Sequence, residues 1–170
     1  MRRVCVLGPC GAGKSTLARR LGERAGLPVV HLDRVFWRAG WVMRDQAEAR
    51  AELEAEVARG RWVIEGNWLA SPCGRFDRAD TVLLLDYAPR VYRWRVVKRQ
   101  VTGRLVGRPD IAEGCREGFD WAFMKYVWRF HLDKRGELVR LVAGLRPDQE
   151  SVVLRTPGEA KRWLAALSSA

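Results

Sequence analysis

Short apolar segments alternate with amphipathic segments along most of the 170-residue chain. Five mainly apolar segments of four to six residues predict buried strands, at Val4–Leu7, Pro28–Leu32, Trp62–Glu65, Thr81–Asp86 and Ser151–Leu154. The segments between them carry apolar residues at helical spacing and predict helices at Thr16–Ala25, Asp45–Arg59, Pro89 to about Val101, Phe119 to about Leu132, Lys134–Leu145 and Pro157–Leu167. Strands alternating with helices predict an α/β fold, with a parallel sheet between two helical layers.

Residues that begin and end helices support several of these limits. Asp45 is suited to cap the start of its helix, and Gly60 follows the end. Pro157 is suited to the first turn of the closing helix. The length corresponds to about one domain, and we see neither a linker nor an internal repeat. We therefore predict a single domain over residues 1–170.

One stretch interrupts the α/β pattern. The segment Thr102–Gly118 is rich in glycine and charge, and we expect it to be a mobile excursion. Together with the helix after it, this segment predicts a helical lid insertion at about residues 99–132.

Composition excludes several classes of protein. Hydrophobic residues make up 48% of the chain and charged residues 30%, which argues against a disordered chain. The longest uninterrupted apolar run is Trp163–Leu167, far shorter than a membrane span. Val4–Leu7 is too short for the core of a signal peptide. We therefore expect a cytoplasmic protein with no membrane partner; its oligomeric state is left open.

The chain carries a formal net charge of +11. Of its 31 basic residues, 26 are arginine and five are lysine. One interpretation is a compositional bias toward arginine on a soluble surface; the other is a site for polyanions, either phosphates or nucleic acid. The four cysteines form no CxxC pair and the chain has two histidines, which argues against a structural zinc site.

A phosphate-binding motif lies between the first strand and the first helix. Its pattern is G-x-x-x-x-G-K-[ST], and with the residue that follows it comprises Gly8, Pro9, Cys10, Gly11, Ala12, Gly13, Lys14, Ser15 and Thr16. The glycines let backbone N–H groups curl around phosphate oxygens, and the helix N-terminus adds partial positive charge. We expect Lys14 to reach the β and γ phosphates, Ser15 to ligate Mg²⁺ and Thr16 to lie at the α phosphate.

Absent motifs narrow the type of P-loop protein. The base-reading N/T-K-x-D motif of GTPases is missing, so ATP is favoured over GTP. The chain has no LSGGQ motif and is too short for a full AAA module. The remaining type is a small kinase whose lid closes over the phosphates and excludes water.

Further motifs carry a resemblance to a known family. They are His31-Leu32-Asp33, Phe36-Trp37, Trp62–Asn67, Arg78–Thr81, Leu83–Asp86, Arg108-Pro109-Asp110, Gly114-Cys115 and the aromatic set Trp121, Phe123 and Trp128. With the P-loop, they make nearly the whole chain resemble bacterial topology modulation proteins, small P-loop kinases similar to adenylate kinase and shikimate kinase. The resemblance implies a five-stranded parallel sheet with strand order 2-3-1-4-5. The family name describes a genetic phenotype and establishes no chemistry.

The chain also departs from the adenylate kinase pattern. Where those enzymes carry Asp-Gly-Phe-Pro-Arg, this chain reads Glu65-Gly66-Asn67-Trp68, and the Thr-Gly-Asp-Met pattern is missing. Both departures argue against AMP as the acceptor. The run from Arg104 to Arg108 resembles the R-x-x-G-R start of an adenylate kinase lid. By that resemblance, Arg104 covers the adenine and Arg108 reaches the phosphates.

Three carboxylates follow or end predicted strands. Asp33 is suited to orient or deprotonate an acceptor hydroxyl or to join the Mg²⁺ shell; alternatively it caps a helix. Asp86 follows an apolar strand in the manner of a Walker B element that holds Mg²⁺; alternatively it is a turn residue. Glu65 ends the third strand, and the sequence leaves its role open.

Basic and aromatic residues complete the set of candidates. Seven basic residues and no acid lie in one stretch, at Arg90, Arg93, Arg95, Lys98, Arg99, Arg104 and Arg108. We interpret the first three as mainly a solvated helix face, and Arg99, Arg104 and Arg108 as catalytic lid residues that stabilise the transferring phosphoryl group. The aromatic residues on the expected acceptor side are Phe36, Trp37, Trp41 and Trp68, which either stack on a ring of the acceptor or pack the core.

These residues predict an ATP- and Mg²⁺-dependent enzyme that phosphorylates a small acceptor. Lys14, Asp33, Arg99, Arg104 and Arg108 are the predicted catalytic residues, and the predicted Mg²⁺ ligands are Ser15, Asp33 and Asp86. One alternative is an ATP-binding regulator associated with nucleic acid, although the sequence has no helix-turn-helix, zinc-finger or RNP motif. Another is a plain ATPase with water as the acceptor. The sequence does not identify the acceptor.

Overall fold

A parallel five-stranded sheet forms the centre of the protein. The computed structural model describes residues 1–102, 114–115 and 120–167. The strands of this sheet are β1 (Arg3–Leu7), β2 (Val29–His31), β5 (Trp62–Glu65), β6 (Thr81–Leu85) and β7 (Glu150–Leu154). Their spatial order is β2-β5-β1-β6-β7. These are the five strands expected from the sequence, in the expected order.

Helices cover both faces of the sheet. They are α1 (Lys14–Ala25), α2 (Leu32–Phe36), α3 (Gln46–Ala58), α4 (Arg75–Arg78), α5 (Pro89–Thr102), α6 (Trp121–Asp133), α7 (Arg135–Ala143) and α8 (Pro157–Ala166). The six helices predicted from the sequence are present, with ends shifted by one or two residues. Asp45 caps α3 as predicted, because its side chain accepts hydrogen bonds from the backbone N–H groups of Ala47 and Glu48.

The side chains of β1 alternate between two hydrophobic cores. Cys5 and Leu7 lie in the core that contains the buried residues of α2, α3 and α7. Val4 and Val6 lie on the opposite side of the sheet, with the buried residues of α1 and α8. Since all four side chains are fully buried, β1 is enclosed on both faces. The predicted three-layer α/β fold is therefore confirmed.

Short elements between β2 and α3 were not predicted. The strands β3 (Trp37–Arg38) and β4 (Val42–Met43) pair antiparallel to form a small hairpin. Its turn is a single 3₁₀ turn at Ala39–Trp41. Two-residue strands and a five-residue helix are too short to leave a periodic signal in the sequence.

Part of the predicted lid is described. α6 packs against α5, where Tyr92 and Phe130 make an edge-to-face ring contact with centroids 6.2 Å apart. Most of the segment Thr102–Gly118, together with Arg104 and Arg108, lies outside the described residues. Among the described helices, none is both long and apolar enough to cross a membrane.

The register of the sheet aligns the carboxyl ends of the central strands. Glu65, the last residue of β5, lies opposite Val6 on one side and His31 on the other. Leu7 lies opposite Leu84 of β6. The residues that follow these strands therefore meet at one edge of the sheet, where parallel α/β proteins bind ligands.

Candidate functional site

The predicted phosphate-binding motif forms a loop between β1 and α1. Gly8 has φ 142° and Gly11 has φ 82°, in the region that favours glycine. A Cβ atom on Gly8 would lie 2.7 Å from the carbonyl oxygen of Leu85, and one on Gly11 would lie 2.5 Å from that of Tyr92. Larger residues at either position would therefore push the loop away from β6 and α5.

The N-terminus of α1 faces this loop. Gly13 is the N-cap residue, in a left-handed conformation, and no side chain within the described residues caps it. The first turn of α1 contains no acidic residue. The N-terminal N–H groups and their partial positive charge are therefore available to an anion. Lys14 lies over the loop, and its Nζ donates to the carbonyl oxygen of Pro9 at 3.3 Å.

A hydrogen-bonded group of three side chains lies beside the loop. Ser15 Oγ donates to Glu65 Oε1 at 3.0 Å, and His31 Nδ1 lies 2.8 Å from the same oxygen. Glu65 is 4% exposed. Mg²⁺ prefers oxygen ligands, and the hydroxyl of Ser15 and the carboxylate of Glu65 offer such oxygens beside the phosphate loop. These residues therefore fit a magnesium ion, with Glu65 rather than Asp86 as the carboxylate next to Ser15.

Asn67, two residues beyond β5, holds the start of the phosphate loop. Its side-chain oxygen accepts from the N–H of Gly8 at 3.1 Å, and its side-chain nitrogen donates to the carbonyl of Gly8 at 3.0 Å. The backbone carbonyl of Asn67 accepts in turn from the guanidinium of Arg75. The phosphate loop and the loop after β5 are thus joined directly.

Arg75 is a buried cation without an acidic partner in the described part of the chain. Its side chain is fully buried and donates to the carbonyl oxygen of Ser71 at 3.0 Å as well as to that of Asn67. Burial lowers the pKa of this guanidinium below its ordinary value. Backbone carbonyls therefore accept from Nη1 and Nη2 of this guanidinium and connect it to the loop between residues 66 and 75, whereas its buried Nε has no hydrogen-bond partner among the described residues.

Asp86, a predicted Mg²⁺ ligand, follows β6 at the same edge of the sheet. Its two carboxylate oxygens accept from Nε and Nη2 of Arg135, each at 2.7 Å. Hydrogen bonding to Asp86 raises the pKa of Arg135. This bidentate pair joins β6 to α7, and the metal role of Asp86 stays a prediction.

The arginines of α5 differ in position. Arg95 extends to the phosphate loop, where its Nη1 donates to the carbonyl of Ala12 at 3.1 Å. Arg99 lies with its guanidinium carbon 6.0 Å from the ring centre of Phe123 on α6. Arg95 belongs to the group interpreted from the sequence as mainly a solvated helix face, and its side chain is exposed while it also contacts the loop. The spacing of the charges along the sequence does not show that Arg95 reaches the phosphate loop and that Arg99 lies beside Phe123.

One face of α6 covers the loop. Cys10 packs against the cluster of Tyr92, Val96 and Val127. Tyr126 of α6 lies near the side chain of Asn67, and partial burial raises the pKa of its phenol. Asn67 and Tyr126 were not among the predicted site residues. Only the position of Asn67 two residues after the end of β5 could have indicated its role.

Asp33 and the aromatic residues of the predicted acceptor side lie together in the structure. Trp68 Nε1 donates to Asp33 Oδ1 at 3.4 Å. The rings of Phe36 and Trp68 stack with centroids 4.0 Å apart. Trp37 lies 6.0 Å from Trp68 and 5.9 Å from Trp41, measured between ring centroids. The structure therefore brings together the four aromatic residues that the sequence singled out.

Comparisons with known proteins identify the class of fold. No protein-family model matches the chain. The shikimate kinase from Acinetobacter baumannii superposes with a TM-score of 0.57 at 16% identity, over 97% of this chain and 89% of that one. The chain therefore has the α/β fold of small P-loop kinases.

The sequence relatives include nucleotide kinases and a tRNA dimethylallyltransferase of Dinoroseobacter shibae, which is 36% identical over 73 residues, or 39% of this chain and 25% of that protein. The cytidylate kinase of Oleidesulfovibrio alaskensis is 32% identical over 94 residues, which are 50% of this chain and 43% of that protein. The adenylate kinase of Kocuria rhizophila is 34% identical over 92 residues, or 53% and 47% of the two chains. The chain thus spans less than half the length of these relatives. The finer resemblance to topology modulation proteins stays a prediction.

Proposed function

We propose that the protein is an ATP-dependent phosphotransferase that moves the γ-phosphoryl group of ATP to a small acceptor. The observation that carries this proposal is the phosphate loop at the uncapped start of α1, with Ser15 bonded to Glu65 beside it. The nucleotide-kinase relatives support a phosphotransferase over a binding protein.

The loop residues bind the phosphates of ATP. The N–H groups of the loop and of the first turn of α1 hold phosphate oxygens, and Lys14 exchanges its contact with Pro9 for the β and γ phosphates. When bound, Mg²⁺ neutralises charge on the β and γ phosphates. Ser15 and Glu65 would hold this ion, while Asp33 and Asp86 remain the other candidate carboxylates.

Arginines stabilise the group in transfer. Arg95 already lies at the loop, and Arg99, Arg104 and Arg108 follow it along the chain. Positive side chains next to the equatorial oxygens lower the barrier because they are oriented before charge develops. Asp33 follows β2, whereas the arginines of α5 follow β6, on the other side of the central strand β1. An acceptor would approach near Asp33, along the carboxyl edge of the sheet.

A coupled measurement of ADP release and of phosphorylated product tests the proposal. We expect both to appear with ATP, Mg²⁺ and a suitable acceptor, and both to be lost in Lys14→Ala. Lys161→Ala removes an exposed lysine of α8 and serves as the matched control. ADP release without phosphorylated product would indicate the ATPase alternative. Turnover that rises only with DNA would indicate the regulator. A Lys14→Ala variant with full nucleotide affinity and turnover would exclude this site.

A further inference from the structure

The sheet register brings His31 and Glu65 together. They are paired residues of the parallel strands β2 and β5, and β2 lies at the edge of the sheet. Val63 of β5 lies in the core that contains the buried residues of α1. Glu65 follows two positions later, so its carboxylate is on the same face. Since paired residues of neighbouring strands share a face, the imidazole of His31 lies on this face too.

The carboxylate of Glu65 has two side-chain partners in the described part of the chain. They are Ser15 at 3.0 Å and His31 at 2.8 Å, and no lysine or arginine of that part forms an ion pair with it. Glu65 is nearly fully buried, and a buried carboxylate without a fixed cation is costly. A divalent cation bound beside Ser15 would offset this charge.

Both hydrogen bonds end at the same atom, Oε1 of Glu65. An ionised carboxylate only accepts hydrogen bonds, so Ser15 Oγ and His31 Nδ1 are both donors. The proton of Ser15 is thereby directed to Glu65, and the oxygen lone pairs of the hydroxyl remain available to a metal ion. Neither bond uses Oε2 of Glu65.

We propose that His31 is a positioning residue that acts on Mg²⁺ binding through Glu65; this rests on the magnesium site of the proposed function. The Nδ1–H of His31 holds Oε1 in the orientation in which it also accepts from Ser15. Without this donor, one hydrogen bond instead of two fixes the carboxylate, and the Ser15 hydroxyl loses its fixed direction. Removing a partner that orients metal-binding groups typically lowers metal affinity by roughly 10–100-fold.

The position of the imidazole proton is measured without metal or nucleotide. The chain has two histidines, so long-range proton–nitrogen NMR of an isotope-labelled sample gives two imidazole spin systems. A His131→Leu variant assigns them. We expect a proton on Nδ1 of His31, because the bond to Glu65 requires a donor there. A His31 ring whose only proton is on Nε2 overturns the inference.

Calorimetric titrations with ATP, in Mg²⁺ and in EDTA, measure the effect on metal binding. The quantity compared is the Kd in EDTA divided by the Kd in Mg²⁺. His31→Leu removes the donor and should lower this ratio by roughly tenfold or more. His31→Asn replaces Nδ1 by an amide N–H donor and should restore most of the ratio. The control is His131→Leu on α6, which should leave the ratio unchanged.

The Kd in EDTA distinguishes positioning from a general structural role. It should be the same in wild type and in all three variants, because the phosphate loop itself is not altered. A Kd in EDTA that rises as much as the Kd in Mg²⁺ in His31→Leu shows a structural role and overturns the inference.

Combination with Glu65→Gln tests whether the effect passes through Glu65. His31→Leu should lower the ratio in the wild-type background and not in Glu65→Gln, because the two residues form one hydrogen-bonded group. Equal effects in both backgrounds, or no effect of His31→Leu in wild type, overturn this inference and leave the proposed function intact. Phosphoryl transfer is judged separately, by Lys14-dependent product. No product, with the expected His31 effects present, overturns the phosphotransferase and supports the positioning role.

Discussion

The side-chain amide of Asn67 binds both backbone groups of Gly8, donating to its carbonyl oxygen at 3.0 Å and accepting from its N–H at 3.1 Å. The two residues are 59 positions apart in the chain. Through this contact the end of β5 fixes the first residue of the phosphate loop. The same contact connects the phosphate loop to the loop after β5, which carries Trp68.

Removal of this contact is expected to weaken ATP binding. Each of the two hydrogen bonds contributes about 1 kcal/mol, so Asn67→Ala should raise the Kd for ATP by roughly tenfold or more. Isothermal titration calorimetry with MgATP measures the effect. Gln149→Ala is the matched control, because Gln149 donates to the carbonyls of Phe76 and Ala79 far along the chain from the loop. The control should lower the melting temperature and leave the Kd unchanged.

Two carboxylate variants distinguish the candidate magnesium ligands. Glu65→Gln is expected to raise the Mg²⁺ concentration for half-maximal activity by roughly 10–100-fold, because Glu65 bonds directly to Ser15. Asp86→Asn is expected mainly to cost about 1–2 kcal/mol of stability by breaking the bidentate pair with Arg135. Magnesium titrations and thermal melts of both variants provide the comparison. A higher Mg²⁺ requirement in Asp86→Asn, with only a loss of stability in Glu65→Gln, would indicate that Asp86 is the magnesium ligand.

The alkylation rates of the cysteines are expected to show whether MgATP occupies the phosphate loop. Burial raises the pKa of the Cys5 thiol to about 12, which disfavours the reactive thiolate at pH 8. Cys10 is partly exposed in the loop itself. Iodoacetamide should therefore modify Cys10 well before Cys5, and MgATP should slow the modification of Cys10. Cys73, which lies outside the loop, is the internal control for this mass-spectrometric experiment. Equal labelling of Cys10 with and without MgATP would contradict the proposed phosphate contact.

Glu159 makes stability depend on acid pH. Its carboxylate accepts from the backbone N–H of Arg155 at 2.7 Å and from the hydroxyl of Thr156 at 3.2 Å. The hydrogen bond from Arg155 is the main cause of its lowered pKa. A carboxyl with a lowered folded-state pKa stabilises the protein above its ordinary pKa and loses this effect as pH falls through the lowered value.

The melting temperature of Glu159→Gln should therefore be below that of the wild type at pH 7. The difference should shrink as the pH is lowered past the ordinary range of a glutamate. Glu23→Gln on α1 removes the same charge and controls for the change in net charge. A constant difference between Glu159→Gln and wild type from pH 7 to pH 3 would contradict the role of ionisation.

Local signals were enough to predict the sheet and the phosphate loop. The apolar strand before Gly8 and the cap at Asp45 depend on residues adjacent in the chain. The contacts of Asn67 with Gly8, and of Arg95 with Ala12, join residues 59 and 83 positions apart. Asp86 is a clear example of a residue whose contact partner the sequence does not predict. Its position after an apolar strand predicted a metal ligand, and only the packing of α7 reveals the contact with Arg135.

The strand order has a consequence for how the chain folds. β1 precedes the other four strands of its sheet along the chain, and it lies in the middle of that sheet between β5 and β6. Arg3 pairs with Trp62, and Val4 pairs with Thr81. One edge of β1 therefore stays unpaired until β5 has been synthesised, and the other edge stays unpaired until β6 has been synthesised. Pairing over such separations slows folding, and it leaves the apolar side chains and unpaired backbone groups of β1 exposed to other chains. Early, fully buried segments such as Val4–Leu7 are thus the part of a nascent chain most in need of protection by a chaperone.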